Sequence, residues 1–437
     1  MKNRTSFFVL LIVFICFRGP AEDYKDPLFP FLVMTEAPQK EGDSGFGHMQ
    51  EELVRWGFMA ADGKPVIEPR FSHAFAFAED FAVVQVLKRQ ETETSLRIYA
   101  SWGVINRQGT VVVPEEFERI ASFSGGLARA RLRETSSFID SAQTGFINVE
   151  GDIVIPWNLK DFNFNLTRDF SEGLAAVIPP MSVKKLREIV TDKQYLDTIN
   201  NFFGDDEDTE VTGSGNPRGY IDKNGSVAIE PRFQIAGDFN EGLALAVPFE
   251  AEKFGFIDRT GEFVIGPQFD DAGDFAEGVA GVSQAGKYGY IDYTGKFVTS
   301  PEYDYAHPFS EGKAAVSLGE KFGFIDKQGT LLSEAKYDRV GEFSEGVAAV
   351  AMVNDYSKIS WGFIDGQGRE VIDLQFTGWD PPVFKNGLAL VWLAVEEPSQ
   401  QDWNKGEMVE VKKAGYINKS GHWIYGPVAG PWDIFLN

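Results

Sequence analysis

The chain has 437 residues, of which 43% are apolar and 24% are charged, a composition typical of a folded protein and not of a disordered one. Asp and Glu outnumber Lys and Arg by 65 to 41, so the formal net charge is -24. Such an acidic surface repels phosphate backbones and anionic lipid, which argues against nucleic acids and membrane surfaces as partners. The single cysteine excludes an internal disulfide and a cysteine-based zinc site.

The N-terminus has the pattern of a secretory signal peptide. Residues 1–4 are positively charged, and residues 7–17 form an apolar run that is too short to span a membrane. Small residues just before and at Ala21 predict that the chain is cleaved after Ala21. We therefore expect export to the periplasm, the cell surface or the medium. The alternative is lipid attachment at Cys16, which the bulky Ile15 directly before it disfavours. No later segment is long and apolar enough to be a transmembrane span.

One phrase recurs along the chain: an aromatic residue, Gly, an aromatic residue, Ile, Asp or Asn, two further residues and Gly. A second phrase, Phe-x-Glu-Gly followed by apolar residues, falls in the same frame, as at 239–244. The tightest interval, 34 residues, separates the first-phrase glycines of neighbouring copies. Nine copies predict a tandem array and not a series of unrelated domains. Their first-phrase glycines are Gly57, Gly103, Gly145, Gly219, Gly255, Gly289, Gly323, Gly362 and Gly415.

Each copy has the pattern of short β-strands. Residues 243–247 alternate large and small side chains, as in a strand with one face on a core. Residues 255–258 and 263–265 form the next two strands, joined by a turn with Asp258 first and Gly261 fourth, the residues that a type I turn prefers. The unit is therefore predicted to be a three-stranded antiparallel meander.

These phrases resemble the repeat of the bacterial WG-repeat proteins, in which Trp-Gly-aromatic-Ile-Asp precedes Val-Ile-Pro-Pro and Phe-Ser-Glu-Gly-Leu-Ala. The resemblance covers nearly everything from about Trp56 to Pro427, although only Trp56, Trp102 and Trp361 are literal Trp-Gly. It implies a β-rich repeat array, and it supplies no catalytic residues.

The predicted fold is all-β: a tandem array of about nine three-stranded meanders with one helical insertion. Uneven spacings favour an open superhelical or solenoid-like form, and closure as a β-propeller is the alternative. The expected order is a signal peptide (1–21), an N-terminal cap (22–55), repeats 1–3 (56–178), a helical and acidic insertion (179–217), repeats 4–9 (218–428) and a tail (429–437). Apolar residues at near-helical spacing in the insertion predict one helix of about 20 residues before an acidic loop.

The polar residues that recur with the repeat have structural explanations. The aspartates stand first in tight turns and exchange with asparagine in three copies, which predicts that they accept hydrogen bonds from the turn backbone. The glutamates precede a turn glycine and are interpreted in the same way. The four histidines show no short metal-binding pairing, and no phosphate-binding loop, dinucleotide fingerprint or nucleophile elbow occurs. We therefore predict no catalytic residue, metal or cofactor.

Most of the 38 Phe, 13 Tyr and 9 Trp residues fall in frame with the repeat, as a core requires. Aromatic residues out of frame are candidates for an interaction patch, with a hydrophobic cap as the alternative. They are Trp379, Trp392, Trp403, Trp423, Tyr425 and Trp432, of which the first five are our candidate binding residues.

Because repeat arrays present long surfaces, they bind more often than they catalyse. The leading hypothesis is a non-catalytic secreted or periplasmic scaffold that binds a protein or a cell-envelope polysaccharide. The alternative is a carbohydrate-active hydrolase with an unrecognised pair of carboxylates.

Overall fold

The structure, a computed structural model, describes residues 27–34, 54–91, 96–132, 144–157, 168–178, 181–190, 193–203, 207–211, 216–354, 358–398 and 408–429. The signal peptide, Cys16 and Trp403 lie outside these residues, as does nearly all of the predicted tail. Within them the chain is nearly all-β with two helices. The prediction of an all-β tandem array is therefore confirmed.

The strands form nine successive units. Unit 1 contains β1 (Phe29–Met34), β2 (Val54–Met59) and β3 (Pro65–Phe71). Unit 2 contains β4 (His73–Ala74), β5 (Phe81–Glu91), β6 (Leu96–Asn106) and β7 (Val111–Ile120). Unit 3 contains β8 (Ala128–Leu132), β9 (Thr144–Ile147) and β10 (Ile153–Trp157). Unit 4 contains β11 (Leu174–Val177), β14 (Arg218–Asp222) and β15 (Val227–Ala236). The insertion between β11 and β14 contains β12 (Met181–Ser182), α1 (Val183–Ile189), α2 (Lys193–Phe203) and β13 (Glu210–Val211). Unit 5 contains β16 (Ala244–Pro248), β17 (Phe254–Ile257) and β18 (Phe263–Phe269).

Unit 6 contains β19 (Asp271–Ala272), β20 (Ala280–Gln284), β21 (Lys287–Ile291) and β22 (Phe297–Tyr303). Unit 7 contains β23 (Tyr305–Ala306), β24 (Lys313–Leu318), β25 (Lys321–Asp326) and β26 (Leu331–Tyr337). Unit 8 contains β27 (Arg339–Ser344), β28 (Val347–Val353), β29 (Ile359–Asp365) and β30 (Glu370–Phe376). Unit 9 contains β31 (Phe384–Lys385), β32 (Leu388–Pro398), β33 (Met408–Asn418) and β34 (Trp423–Ala429).

Units 6 to 9 are four-stranded antiparallel sheets in chain order, so the prediction of three strands was one short. The additional strand opens the unit and lies in what the sequence suggested was a connecting loop. In units 6, 7 and 9 it has only two residues, which is too short to show an alternating pattern. In units 3 and 5 the opening strand is the continuation of β7 or β15 from the unit before, which joins neighbouring units into longer sheets.

Successive units pack against each other through one aromatic contact that recurs. Phe256 of unit 5 and Phe275 of unit 6 are both buried and meet edge to face, with their ring centroids 4.8 Å apart. The same core cluster includes Ile265 and Phe269 of unit 5 and Val282 of unit 6. Because the Phe of the second phrase covers the sheet of the preceding unit, the core runs between units and is not enclosed within any one of them.

The first unit contacts the last, which corresponds to the propeller-like alternative and not to the favoured open form. The Tyr425 hydroxyl in β34 donates to the carbonyl of Leu32 in β1 at 2.6 Å. Edge-to-face ring contacts join Phe31 to Tyr425 at 5.4 Å and Phe29 to Tyr416 at 5.6 Å. These side chains share a core cluster, so the array is closed by apolar packing as well as by one hydrogen bond.

The insertion between β11 and β14 holds two short helices instead of the single predicted helix. Its helical spacing is interrupted at Val190, whose backbone is extended, with φ -73° and ψ 127°. Leu186 and Ile199 pack together in a small core against which Phe249 of unit 5 also packs. Lys185 pairs with Glu230 on β15 at 2.7 Å. The insertion is therefore fastened to units 4 and 5.

Candidate functional site

The two ends of each unit differ in what they carry. We call the end with the Glu-Gly turn and the Asp-x-x-Gly turn the turn face of the ring. The opposite end carries the connection between the second and third strands of a full unit, and we call it the hairpin face. In an antiparallel meander the first and third connections lie at one end and the second at the other, so this division holds for every unit.

The periodic aspartates on the turn face hold their own turns. Asp258 Oδ1 accepts from the backbone N–H of Thr260 at 2.8 Å and of Glu262 at 3.2 Å, and Gly261 closes the turn at φ +85°. Asn148 accepts the equivalent bonds at 3.1 and 2.8 Å. The predicted structural role of these residues is confirmed, which explains why Asp and Asn exchange.

The periodic glutamates join one unit to the next. The Glu241 carboxylate accepts from the backbone N–H groups of Glu277 (2.8 Å) and Gly278 (2.9 Å) in the following unit. Glu241 itself lies at φ +54°, which directs its side chain across the boundary between the units. The structural interpretation is confirmed, although the donors belong to the next unit and not to the glutamate's own turn: Glu172, Glu277, Glu311 and Glu345 make the same kind of bond. Glu79, which precedes Asp80 and not a glycine, makes it as well.

Two of these carboxylates also pair with a lysine from the next unit. Lys327 lies 3.2 Å from the Glu277 carboxylate, and Lys419 lies 3.1 Å from that of Glu345. Burial pushes the pKa of both glutamates up, but the hydrogen bonds from lysine and from backbone N–H groups outweigh it and hold each pKa below the ordinary value of 4.5.

A glutamate whose pKa is lower in the folded state than in the unfolded state stabilises the protein at pH values above its unfolded-state pKa. This stabilisation is lost as the pH falls below about 4.5 towards the folded-state pKa. We expect urea unfolding to show decreasing stability over this range. In a Glu277→Gln/Glu345→Gln variant the decrease should be shallower, since these positions no longer titrate. Identical pH profiles for the variant and the parent protein would contradict the structural assignment.

The hairpin face carries the connections whose lengths vary. In units 6 and 7 they are two-residue turns, whereas unit 4 has the helical insertion here, and in units 2 and 9 the strands β5–β6 and β32–β33 are 11 residues each. Variable length concentrated at one end is typical of a functional loop surface on a rigid scaffold.

The five candidate binding residues do not form one patch. Trp379 lies on the hairpin face, is 58% exposed and has the Arg339 guanidinium 5.5 Å from its ring centroid. Trp392 is half-buried nearby on β32. Trp423 instead packs on the core against Phe376, and Tyr425 takes part in ring closure. Trp403 lies outside the described residues.

A different aromatic group occurs on the hairpin face between units 6 and 7. Tyr305 is 46% exposed, and its ring lies 5.4 Å from that of Tyr288 and 5.0 Å from that of His307. His307 also meets Phe322 edge to face at 5.6 Å. We call Tyr288, Tyr305, His307 and Phe322 the unit 7 aromatic cluster.

Unit 2 has a related group at the same repeat positions. Phe75 is 43% exposed and stacks on Trp102, with centroids 5.5 Å apart and planes 18° from parallel. His73 packs between Trp102 and Trp56 of unit 1. Sequence reasoning missed both groups because their members are in frame and were assigned to the core. The available signal was the pairing of a His and an aromatic residue two positions apart, as in His73–Phe75 and Tyr305–His307.

A charged group is formed by residues of four successive units, units 3 to 6. Asp169, Asp238 and Asp274 each directly precede the Phe of the second phrase. Arg129 pairs with Asp169 at 2.6 Å, and Arg168 pairs with Asp238 at 3.0 Å. We call these five residues the inner charged cluster, because Asp238 and Arg168 both act on the buried carboxyl of Asp274.

Asp274 is the least satisfied member of the inner charged cluster. Its Oδ1 atom is buried and has no hydrogen-bond partner in the described part of the chain. Burial, and then the charge of Asp238, raise the pKa of its carboxyl, while Arg168 partly offsets them. Across the described residues, no three His, Cys, Asp or Glu side chains are arranged to hold a metal ion. No helix in that same part of the chain has the length and apolarity to cross a membrane.

The fold defines the class of protein, a closed array of small antiparallel sheets like a β-propeller. Comparison with known protein families narrows this class further. The WG containing repeat model matches seven segments that together span just over half of the chain, and the chain belongs to this family. They are residues 56–88, 102–134, 219–247, 254–288, 288–322, 322–355 and 361–391. The copies at Gly145 and Gly415 are not matched, although Asn148 and Asn418 form the same turn.

A solved structure supports the fold. A eukaryotic initiation factor is similar over 93% of this chain and 97% of its own, with 11% identity and a TM-score of 0.50. An acylaminoacyl peptidase from Pyrococcus horikoshii (12% identity) is similar over 74% of this chain and 57% of its own, with a TM-score of 0.34. The BP39L lectin from Burkholderia pseudomallei (9% identity) is similar over 70% of this chain and 95% of its own, with a TM-score of 0.29. At 11% identity the initiation factor indicates the fold and not the function, and the two likenesses with TM-scores under 0.5 carry no argument. No curated protein matches the sequence.

Proposed function

We propose that this protein is an exported, non-catalytic scaffold whose hairpin face binds a protein or a polymer of the cell envelope. The observation that carries the proposal is that three of the four exposed aromatic side chains of the described residues, Phe75, Tyr305 and Trp379, lie at the same end of the ring as the connections of variable length. The fourth, Tyr293 on the turn face, donates from its hydroxyl to Glu241 and stacks on Phe275. The recurring polar groups of the turn face, by contrast, are used within and between units. Aromatic anchors in a polar surround are typical of binding surfaces.

Site-specific photocrosslinking tests which face binds. A benzophenone side chain replaces Trp379 on the hairpin face, and in a matched control it replaces Tyr293, which is 43% exposed on the turn face. We expect adducts in envelope extract from position 379 and none from position 293. Adducts from 293 alone, or equal yields from both positions in folded proteins, would contradict the proposal.

Export is tested separately by the mass of the protein recovered from the periplasm or the medium. We expect the mature chain to begin near Glu22 and to lack cysteine, because the signal-like segment ends in small residues there. Retention of Cys16 with the added mass of a lipid would show that the protein is anchored instead.

A second candidate function is glycoside hydrolysis, which the inner charged cluster favours. Asp274, with its raised pKa, has the character of a general acid, and Asp238 is a carboxylate held by Arg168. If this function is correct, the protein should release reducing sugar from a polysaccharide, and Asp274→Asn should abolish the release. Absence of turnover with the unmodified protein removes this candidate.

A further inference from the structure

The unit 7 aromatic cluster is held in place by the fold. Tyr305 pairs with Ser317, Ser317 pairs with Phe322, and the three residues form one row across unit 7. The backbone of His307 is fixed at both ends, because its N–H donates to Ala315 at 2.9 Å and its carbonyl accepts from the Tyr290 hydroxyl at 2.5 Å. A binding site on these residues would therefore be largely formed before a ligand arrives.

Polar atoms in the cluster remain available. Among the described residues, neither the Tyr305 hydroxyl nor the His307 imidazole makes a hydrogen bond, whereas the Tyr288 hydroxyl donates to Asp271. Burial lowers the pKa of His307, so its ring is neutral at neutral pH and offers one donor and one acceptor. A half-exposed tyrosine ring thus lies beside three unused hydrogen-bonding positions.

The pairing of His with an aromatic residue is selective among the units. It occurs two and four residues after the aromatic residue near the end of the preceding unit, Phe71 before unit 2 and Tyr303 before unit 7, and in opposite order in the two units. Other units place different side chains there: Arg119 and Ala121, Ile235 and Gly237, Asp271 and Gly273, Arg339 and Gly341. Since packing in those units proceeds without it, the pair is not a requirement of the fold.

This chemistry suits a sugar. The axial C–H groups of a pyranose carry partial positive charge and stack on the negative face of an aromatic ring, while its hydroxyls need nearby donors and acceptors. The Lys287–Asp304 ion pair adjoins Tyr305, and a charged border of this kind suits a hydroxyl-rich ligand better than the apolar centre of a protein interface. A net charge of -24 disfavours polyanionic glycans.

We infer that the unit 7 aromatic cluster binds a pyranose unit of a neutral polysaccharide, with Tyr305 as the stacking platform and His307 as the hydrogen-bonding residue. This inference rests on the proposed function and specifies its ligand. The related group in unit 2, with Phe75 exposed on Trp102, has the composition of a second subsite of the same kind.

Affinity electrophoresis of the mature protein tests the inference. The gels contain dextran, galactomannan, hydroxyethyl cellulose or xylan as neutral probes, and polygalacturonate as the anionic comparator. We expect retardation by at least one neutral probe, and at least tenfold weaker binding for Tyr305→Ala and for His307→Ala. Tyr293→Ala, the matched control on the turn face, should bind as the parent protein does. Thermal melts confirm that each variant is folded.

Lack of retardation by all four neutral probes, preference for polygalacturonate, or unchanged binding by folded Tyr305→Ala would overturn the inference. Tyr305→Ala removes a half-exposed side chain, so it keeps the test valid if His307→Ala fails to fold. If photocrosslinking captures a protein through the hairpin face while no polysaccharide binds, the scaffold proposal stands and the ligand assignment fails.

Discussion

Gly255→Ala is expected to destabilise the protein by about 3 kcal/mol, since a rigid backbone clash cannot be relieved by rotating a side chain. A Cβ atom at Gly255 would lie 2.5 Å from the carbonyl oxygen of Ile265 and 2.8 Å from the nitrogen of Pro267. These atoms belong to β18, which approaches β17 closely at a shift in register. Urea unfolding measures the loss.

Gly266→Ala is the matched control, because no atom lies within 4 Å of a Cβ built there. We expect its effect to stay within about 0.5 kcal/mol. Equal losses at both positions would mean that the close approach of β17 and β18 is absent in solution. The same contact explains the Gly that defines the repeat: in all nine copies a Cβ would meet a backbone carbonyl oxygen at 2.3 to 2.8 Å.

Replacing Tyr425 with Leu is expected to cost about 2 kcal/mol, through loss of the hydrogen bond to Leu32 and of the ring contact with Phe31. The decisive measurement is a double-mutant cycle with Phe31→Leu. A coupling energy of about 1 kcal/mol between Phe31 and Tyr425 requires that the first and last units of the array meet.

The control cycle pairs Phe31→Leu with Tyr305→Leu. Residues without a shared contact should combine additively to within about 0.5 kcal/mol. If the cycle of Phe31 with Tyr425 is equally additive, the ring is open in solution and the end contacts do not form.

Much of the local structure is predictable from the sequence because it depends on residues that are close in the chain. Asp258 and Gly261 specify a turn through bonds spanning four residues, so its register was recognised directly. The opening strand of unit 7, Tyr305–Ala306, was missed because two residues carry no periodicity. The helical insertion was recognised by its spacing, but the extended backbone at Val190 that divides it was not.

The candidate site was less predictable, because exposure of an aromatic residue depends on what other units place over it. Trp379 is exposed, as predicted for a residue out of frame. The assignment of Trp423 as out of frame was wrong, because it pairs with the Ile of its own unit as Phe263 and Phe297 do, and it packs on Phe376. Tyr305 is in frame and exposed. Position within the repeat therefore identifies the strand on which a residue lies, and not whether a neighbouring unit covers it.

By itself the sequence determined the repeat, the turns and the family, since strand alternation and turn chemistry act over a few residues. Only the tertiary structure decided that the ends meet and that Glu241 bonds to the unit after its own. The physical reason is that closure depends on the rotation between neighbouring units summed around the whole array. Small packing differences at each boundary set that rotation, and no local pattern in the sequence records their sum.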